Sequence, residues 1–156
     1  MTKVILKTCG FTIIVPGTFA ILVPYLIVTG LDSGYPDGST LARVGGLPLV
    51  GVGVAIYLWC AWEFARARGT PAPIDPPREL VVNGLYRFTR NPMYFGVLLI
   101  LAGETVFFLS APLLVYAGLM FTMFESFIVL YEEPKLTQLF GQAYVRYRNT
   151  VPRWFL

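Results

Sequence analysis

The sequence predicts an all-α, multi-pass membrane protein. It would have four transmembrane helices, the last two forming a C-terminal helical hairpin, followed by a cytosolic C-terminal helix. Of the 156 residues, 56% are hydrophobic and only 13% are charged, and the mean hydropathy is +0.65. Soluble domains are about 45–50% apolar and about 25% charged. Four apolar runs approach the ~20 residues that cross a hydrocarbon core. We therefore interpret residues 1–156 as a single integral membrane domain.

The first two predicted spans are residues 8–29 and 44–65. Pro16 and Pro24 lie inside the first run, where we expect them to kink a helix that its neighbours still support. Glycines are concentrated in the first half of the second run. Small residues let membrane helices approach closely, so we interpret these glycines as a packing surface and not as a nucleotide-binding motif, which would need a preceding strand.

The third and fourth predicted spans are residues 92–109 and 112–131. A short turn without charged residues, at Ser110, separates them, which predicts an antiparallel helical hairpin. Asn91 is a suitable N-cap for the third helix, and Pro92 suits its first position because that position needs no backbone N–H partner.

Two polar segments flank this hairpin. Residues 66–91 form a loop whose proline-rich first part is expected to be extended, since proline fixes φ and restricts the residue before it. Beyond the fourth span, we expect a helix from Glu132 to about Arg148 that ends at Pro152.

The basic residues predict the orientation in the membrane. All but one of the 12 lysines and arginines lie before the first span, in the 66–91 loop or after the fourth span. Basic loops stay on the cytosolic side of a membrane, so both termini are expected in the cytosol, in a bacterial inner membrane. The chain contains no histidine, which excludes a histidine base. No metal site and no nucleic-acid partner are predicted.

Two clusters on the cytosolic side are able to carry chemistry. The first is the stretch NGLYRFTRNPMYFG, residues 83–96, and the second begins at Glu132 and Glu133. Arginine side chains are planar donors for carboxylate or phosphate, and a helix start favours an anion. Interfacial anchoring by arginine and tyrosine is the competing interpretation, and the residues alone leave both open.

Two further carboxylates lie within apolar runs. Ionisable groups there cost several kcal/mol (~2.5–3.5 on insertion scales) and are functional candidates. Glu125 is within two turns of the cytosolic end of its span, so it is expected to reach a site there. Glu104 is near the opposite end, where we expect it to bond a threonine or the backbone.

The two cytosolic clusters occur in two long ordered blocks, PAPIDPPRELVVNGLYRFTRNPMYFG and EEPKLTQLFGQAYVRYRNTVPRW. Together they closely resemble the isoprenylcysteine carboxyl methyltransferase family and its bacterial relatives, and the related phospholipid N-methyltransferases share part of the pattern. The resemblance covers about residues 66–156, whereas the first two spans match only in being apolar. It implies a small membrane enzyme that uses S-adenosylmethionine without a Rossmann domain and releases S-adenosylhomocysteine.

The resemblance also implies which residues form the site. Expected at the cofactor are Gly84, Leu85, Tyr86, Arg87, Arg90, Asn91, Pro92, Tyr94, Glu132, Glu133 and Tyr144. From the chemistry of the residues themselves, Glu125 or Glu132 is expected to act as base for an amine acceptor, and Arg148 or Arg153 to hold an acceptor carboxylate. The family often has histidine where this chain has Asn91, so a role that needs an imidazole is absent.

Several classes of methyl acceptor are compatible with the sequence. It is expected to be small or lipid-like: the carboxylate of a prenylcysteine-like compound, an amine or a thiol, reached from the surrounding membrane lipids. Two alternatives from other classes are a non-catalytic membrane subunit or small transporter, and a relative of the membrane reductases that use a nicotinamide cofactor. The sequence does not predict an oligomeric state.

Overall fold

The computed structural model describes residue 10 and residues 14–31, 40–67 and 79–155. The predicted loop between the first two helices and most of the proline-rich part of the 66–91 loop lie outside these residues. All regular secondary structure within them is helical, which confirms the all-α class. The helices are α1 Ile14–Leu31, α2 Thr40–Arg66, α3 Pro92–Phe108, α4 Ala111–Phe140 and α5 Gln142–Thr150.

Three segments are long and apolar enough to cross a membrane: all of α1, Arg43–Arg66 within α2, and all of α4. Helix α3 is apolar but has only 17 residues, fewer than the ~20 of a usual span. The described helices therefore support a membrane protein, and the count of four spans stays a prediction.

Helices α2 and α3 form the closest contact in the fold, and glycines make it possible. Gly46 lies against Gly103, and seven residues further along α2, Gly53 lies against Gly96. The pairing runs in opposite directions along the two helices, so they are antiparallel. A Cβ built on any of the four would come within 3.0 Å of the facing helix. The prediction that glycines in the second run serve close helix packing is confirmed.

Helix α3 is the centre of the bundle, because α1, α2 and α4 all contact it. Leu101 of α3 and Ile128 of α4 are each only 1% exposed, and they share one core cluster with Tyr57 of α2 and Ala20 of α1. A hydrogen bond from the Tyr116 hydroxyl to the Phe19 carbonyl, at 2.9 Å, also links α4 to α1. Helix α3 is thereby packed among the three other long helices.

A tight turn joins α3 to α4, as the hairpin prediction requires. Leu109 adopts the left-handed conformation, with φ 51°, and ends α3. The Ser110 hydroxyl then accepts a hydrogen bond from the backbone N–H of Leu113 at 3.2 Å and caps α4. The side chain of Ser110 is only 3% exposed, so this bond satisfies a polar group that water does not reach.

The expected start of a new helix at Glu132 is wrong, since α4 continues through it to Phe140. A π-helical turn over Ile128–Glu132 lies within α4, and the N–H of Glu133 bonds the carbonyl of Ile128, five residues earlier. This wide turn directly precedes Pro134, whose ring would clash with the carbonyl four residues before it in a regular helix. The proline is therefore absorbed inside a continuous helix instead of ending it.

The same arrangement occurs in α1, where a π-helical turn over Thr18–Leu22 precedes Pro24. The real end of α4 is Gly141, with φ 52° and ψ −129°. That backbone conformation strongly favours glycine, and it separates α4 from α5.

Candidate functional site

The two clusters singled out in the sequence meet at one end of the bundle. Nη1 of Arg90 lies 2.8 Å from Oε1 of Glu133, and the Tyr94 hydroxyl donates to Oε2 of Glu132 at 3.0 Å. Arg90 lies two residues before the first residue of α3 and Tyr94 lies in its first turn, so two neighbouring carboxylates of α4 reach two side chains at the start of α3. Side-chain exposure is only 10% for Arg90 and 11% for Glu133, so their ion pair is largely shielded from water.

A second arginine extends this pair into a network. Nε of Arg153 donates to the same Oε1 of Glu133 at 3.0 Å, and its Nη1 pairs with Glu125. The indole N–H of Trp154 donates to the other oxygen of Glu125 at 2.9 Å. Hydrogen bonds to Glu133, opposed by some desolvation, raise the pKa of Arg153, so its guanidinium is positively charged at any physiological pH. The positive charges of Arg90 and Arg153 thus balance the negative charges of Glu125 and Glu133.

Three tyrosines connect the network to α5 and to the turn before α3. Tyr144, which is 2% exposed, has its hydroxyl 3.3 Å from Nη1 of Arg90. The Tyr147 hydroxyl donates to the carbonyl of Tyr86 at 2.7 Å. Burial raises the pKa of all three tyrosines, so each hydroxyl keeps its proton. The Tyr147 hydroxyl acts as a donor, whereas the Tyr144 hydroxyl accepts from Arg90. Helix α5 is therefore tied to the rest of the site by side chains, although Gly141 separates it from α4.

Asn91 and Pro92 are both buried at the start of α3, and both occupy the helix positions predicted for them. Pro92 occupies the first turn of the helix. The Asn91 side chain makes no capping bond and instead donates to the backbone carbonyl of Arg153 at 3.1 Å. Asn91 occupies the predicted N-cap position, and its carbonyl accepts the N–H of Phe95 at 3.1 Å, while its side chain holds the C-terminal segment.

Gly84 and Leu85 lie in a short 3₁₀ turn, Gly84–Arg87. Gly84 has φ 59°, and a Cβ there would come within 3.1 Å of Nε1 of Trp59 and 3.4 Å of Cγ of Glu63. Its left-handed backbone suits this tight turn, and the backbone here approaches α2. The Leu85 carbonyl accepts the N–H groups of Phe88 and Thr89.

Two tyrosines that are expected at the cofactor, Tyr86 and Tyr94, pack against other aromatic rings of the protein. The ring of Tyr86 lies edge-on to Phe64 with centroids 5.7 Å apart, and the ring of Tyr94 lies 4.8 Å from Phe124. Both rings therefore pack against other aromatic side chains of the protein itself.

The structure does not bring every expected residue into the network. Arg87 and Arg148 are exposed, and neither forms an ion pair with another described residue. Glu104 lies far from the network, near the turn between α3 and α4. Its Oε2 is buried and has no hydrogen-bond partner in the described part of the chain.

The sequence interpretation missed three contributors. Thr89 is 0% exposed and bonds the Arg153 carbonyl at 2.7 Å, and Trp154 orients Glu125. Phe155 packs its ring 4.8 Å from Phe95. Thr89 and Trp154 stand within the two sequence blocks, but nothing in those blocks indicates that the C-terminal segment folds back onto α3.

Comparison with known proteins places the chain in a family. The family model for phospholipid methyltransferases matches residues 41–143, about two thirds of the chain. The chain belongs to the phospholipid methyltransferase family. The match includes α2, so the expectation that the second span resembles the family only in being apolar is wrong. The network residues from Arg90 to Glu133 all fall within the matched range.

A curated relative agrees with the resemblance stated from the sequence blocks. The protein-S-isoprenylcysteine O-methyltransferase B of Arabidopsis thaliana is 32% identical over 74 residues, 47% of this chain. Those residues are 38% of that relative, so the chain corresponds to well under half of its length. No solved structure gives a significant match.

Proposed function

We propose that this chain is an integral membrane methyltransferase that uses S-adenosylmethionine and transfers its methyl group to a small or lipid-like acceptor. The observation that carries the proposal is the meeting of Arg90 with Glu133 and of Tyr94 with Glu132. Membership of the phospholipid methyltransferase family supports the reaction class. The acceptor atom is a carboxylate oxygen, an amine nitrogen or a thiol sulfur.

The charges of the site fit this cofactor, which has one carboxylate, one ammonium and one sulfonium. Arg90 and Arg153 face Glu125 and Glu133, and Glu132 adds a carboxylate that forms no ion pair with another described residue. These five groups have one net negative charge, opposite to the cofactor's net positive charge. In addition, Nε of Arg90 is buried without a hydrogen-bond partner in the described residues. This donor is therefore available to bind the carboxylate of the cofactor.

In this proposal the cofactor supplies a methyl group already activated by its sulfonium. Arg90 holds the carboxylate, and Glu132 with Glu133 holds the ammonium and the ribose hydroxyls. Leu85, Tyr86 and Tyr94 give the adenine an apolar wall. Methyl transfer is an in-line displacement, so these residues act mainly by fixing position and excluding water.

The acceptor side of the proposal centres on Glu125. An amine acceptor gives up a proton, and Glu125, held by Arg153 and Trp154, is placed to receive it. A carboxylate or thiolate acceptor needs no base, and Arg148 or Arg153 then binds the anionic group. The acceptor reaches this site from the surrounding lipids at the cytosolic boundary.

The topology that we propose with this function has four spans, with α3 as the short one. Both termini and the site lie on the cytosolic side of a bacterial inner membrane. The reaction needs neither a metal nor a nucleic acid.

The test is calorimetric titration of the purified protein in detergent with S-adenosylhomocysteine and with NADPH. Micromolar binding of S-adenosylhomocysteine alone is expected. Binding of NADPH alone would favour the reductase alternative, and binding of neither would favour a non-catalytic subunit or transporter.

Two variants locate the pocket. Arg90→Ala and Glu132→Ala are each expected to weaken S-adenosylhomocysteine binding about tenfold or more, since a lost charge-assisted contact costs at least ~1.4 kcal/mol. Arg146→Ala, at an exposed position on α5, is the control and should bind as the parent does. Unchanged affinity in both site variants would show that the pocket is elsewhere.

A further inference from the structure

The C-terminal segment, residues 151–155, is anchored to the start of α3 through its backbone. The N–H of Arg90 donates to the Pro152 carbonyl at 2.9 Å. Thr89 and Asn91 donate from their side chains to the Arg153 carbonyl, at 2.7 Å and 3.1 Å. Because these bonds fix the main chain, the Arg153 side chain is the part of this segment that is able to respond to a ligand.

That side chain is shared between two carboxylates. Its Nε bonds Glu133 at 3.0 Å while its Nη1 pairs with Glu125. The same Oε1 of Glu133 also accepts from Arg90 at 2.8 Å, so one oxygen serves two guanidinium groups. The Arg153 side chain is 29% exposed, against 10% for Arg90, and it is the more easily moved of the two.

We propose that Arg153 is a positioning residue that occupies Glu133 when the cofactor is absent and yields it to the cofactor's ammonium group. The inference rests on the proposed function, because it takes the ammonium to bind at Glu132 and Glu133. An incoming ammonium would place three cations around one carboxylate, and like charges repel. Arg90 is held by burial and by Tyr144, whereas Arg153 keeps Glu125 as a partner when it leaves Glu133.

The exchange links the two ends of the site. Glu125 is bonded by both Arg153 and Trp154, so a guanidinium that leaves Glu133 changes the surroundings of Glu125 and of the indole. Cofactor binding is thereby communicated to the carboxylate on the acceptor side. This order of events favours binding of the cofactor before the acceptor.

Trp154 provides a direct readout that does not depend on activity. The chain has 3 tryptophans, and the other two, Trp59 and Trp62, are 54% and 59% exposed on α2. With both replaced by phenylalanine, the full-length protein reports on Trp154 alone. Addition of S-adenosylhomocysteine is expected to change the Trp154 emission with the same midpoint as the calorimetric titration.

A calorimetric signal without any change in Trp154 emission would overturn the inference while leaving the proposed function intact. Absence of calorimetric binding in the parent protein would instead overturn the proposed function and this inference with it. The two failures are therefore distinguishable in one pair of titrations.

Substitution of Arg153 gives an independent test. Arg153→Gln removes the competing cation, so S-adenosylhomocysteine is expected to bind about threefold more tightly or better. Arg146→Gln, which removes an exposed arginine of α5, is the charge-matched control and should leave the affinity unchanged. Equal or weaker binding by Arg153→Gln contradicts the proposal. If Arg153→Gln does not fold, the Trp154 emission titration tests the proposal instead, because the protein used there retains Arg153.

Discussion

Substitution of Gly53 by alanine should destabilise the protein, although the same change nearby on α2 should not. A Cβ on Gly53 would lie 2.6 Å from the Gly96 carbonyl oxygen, 2.8 Å from Cγ1 of Ile100 and 2.9 Å from its backbone nitrogen. Ordinary contacts of a Cβ begin at about 3.4 Å. Two of the three contacted atoms belong to the α3 backbone, so a side-chain rotation does not relieve the overlap and the helices must separate.

The expected change in unfolding free energy is the sum of two opposing terms. Overpacking a closely packed position costs about 1–3 kcal/mol, and replacing glycine by alanine within a helix returns about 0.5–1 kcal/mol. In a membrane, helices associate through such packing and not through the hydrophobic effect, so lost contacts are poorly replaced. Gly53→Ala should therefore lose about 1 kcal/mol, and at most about 2.5 kcal/mol, of unfolding free energy.

Gly51 is the matched control, since a Cβ there meets nothing within 4 Å. Gly51→Ala should be neutral or slightly stabilising, because only the helix-propensity term applies. Both variants are compared by circular dichroism during unfolding in mixed micelles of increasing SDS content. If Gly53→Ala is as stable as Gly51→Ala, helices α2 and α3 do not depend on glycine at position 53 for their close packing, which contradicts the prediction.

Two further predictions concern α5 and the connection that precedes it. Tyr147→Phe removes the 2.7 Å bond to the Tyr86 carbonyl and should cost about 1 kcal/mol; an unchanged thermal unfolding midpoint would show that the bond contributes nothing. Gly141→Ala should cost about 1–3 kcal/mol in the same assay purely from backbone strain, because φ is 52° and a Cβ there meets no atom within 4 Å. A neutral result at Gly141 would mean that the break between α4 and α5 does not depend on its left-handed backbone.

Much of the fold follows from local patterns. Pro92 begins α3 and Ser110 caps the start of α4 because each residue type suits its position at a helix start, and the hairpin follows from the short turn between α3 and α4. The glycines of α2 predicted close packing, and Gly96 and Gly103 of α3 are the partners they meet. These features need no knowledge of distant residues, which is why the sequence predicts them.

The candidate site was only partly predictable. That Arg90 and Glu133 share one side of the membrane followed from the distribution of charge, but their direct pairing across 43 positions of sequence has no local signature. The return of Arg153 and Trp154 onto Glu125 likewise depends on buried partners, Thr89 and Asn91, whose side chains the sequence could equally have used for capping. Arg153, which is predicted to hold an acceptor carboxylate, forms ion pairs with two carboxylates of the protein itself, Glu125 and Glu133.

The π-helical turn in α4 explains how two adjacent carboxylates serve one site. Successive residues of a regular helix point about 100° apart, yet Glu132 reaches Tyr94 while Glu133 reaches Arg90. Leu130, four residues before Pro134, lies in the middle of the wide turn, where a regular helix would bring its carbonyl against the proline ring. The proline thus favours the wide turn that ends at Glu132. The Arg90–Glu133 ion pair and the Tyr94–Glu132 hydrogen bond then stabilise the helix in this register. The sequence Glu-Glu-Pro is therefore one structural unit: the proline sets the turn, and the turn presents both acids to the start of α3.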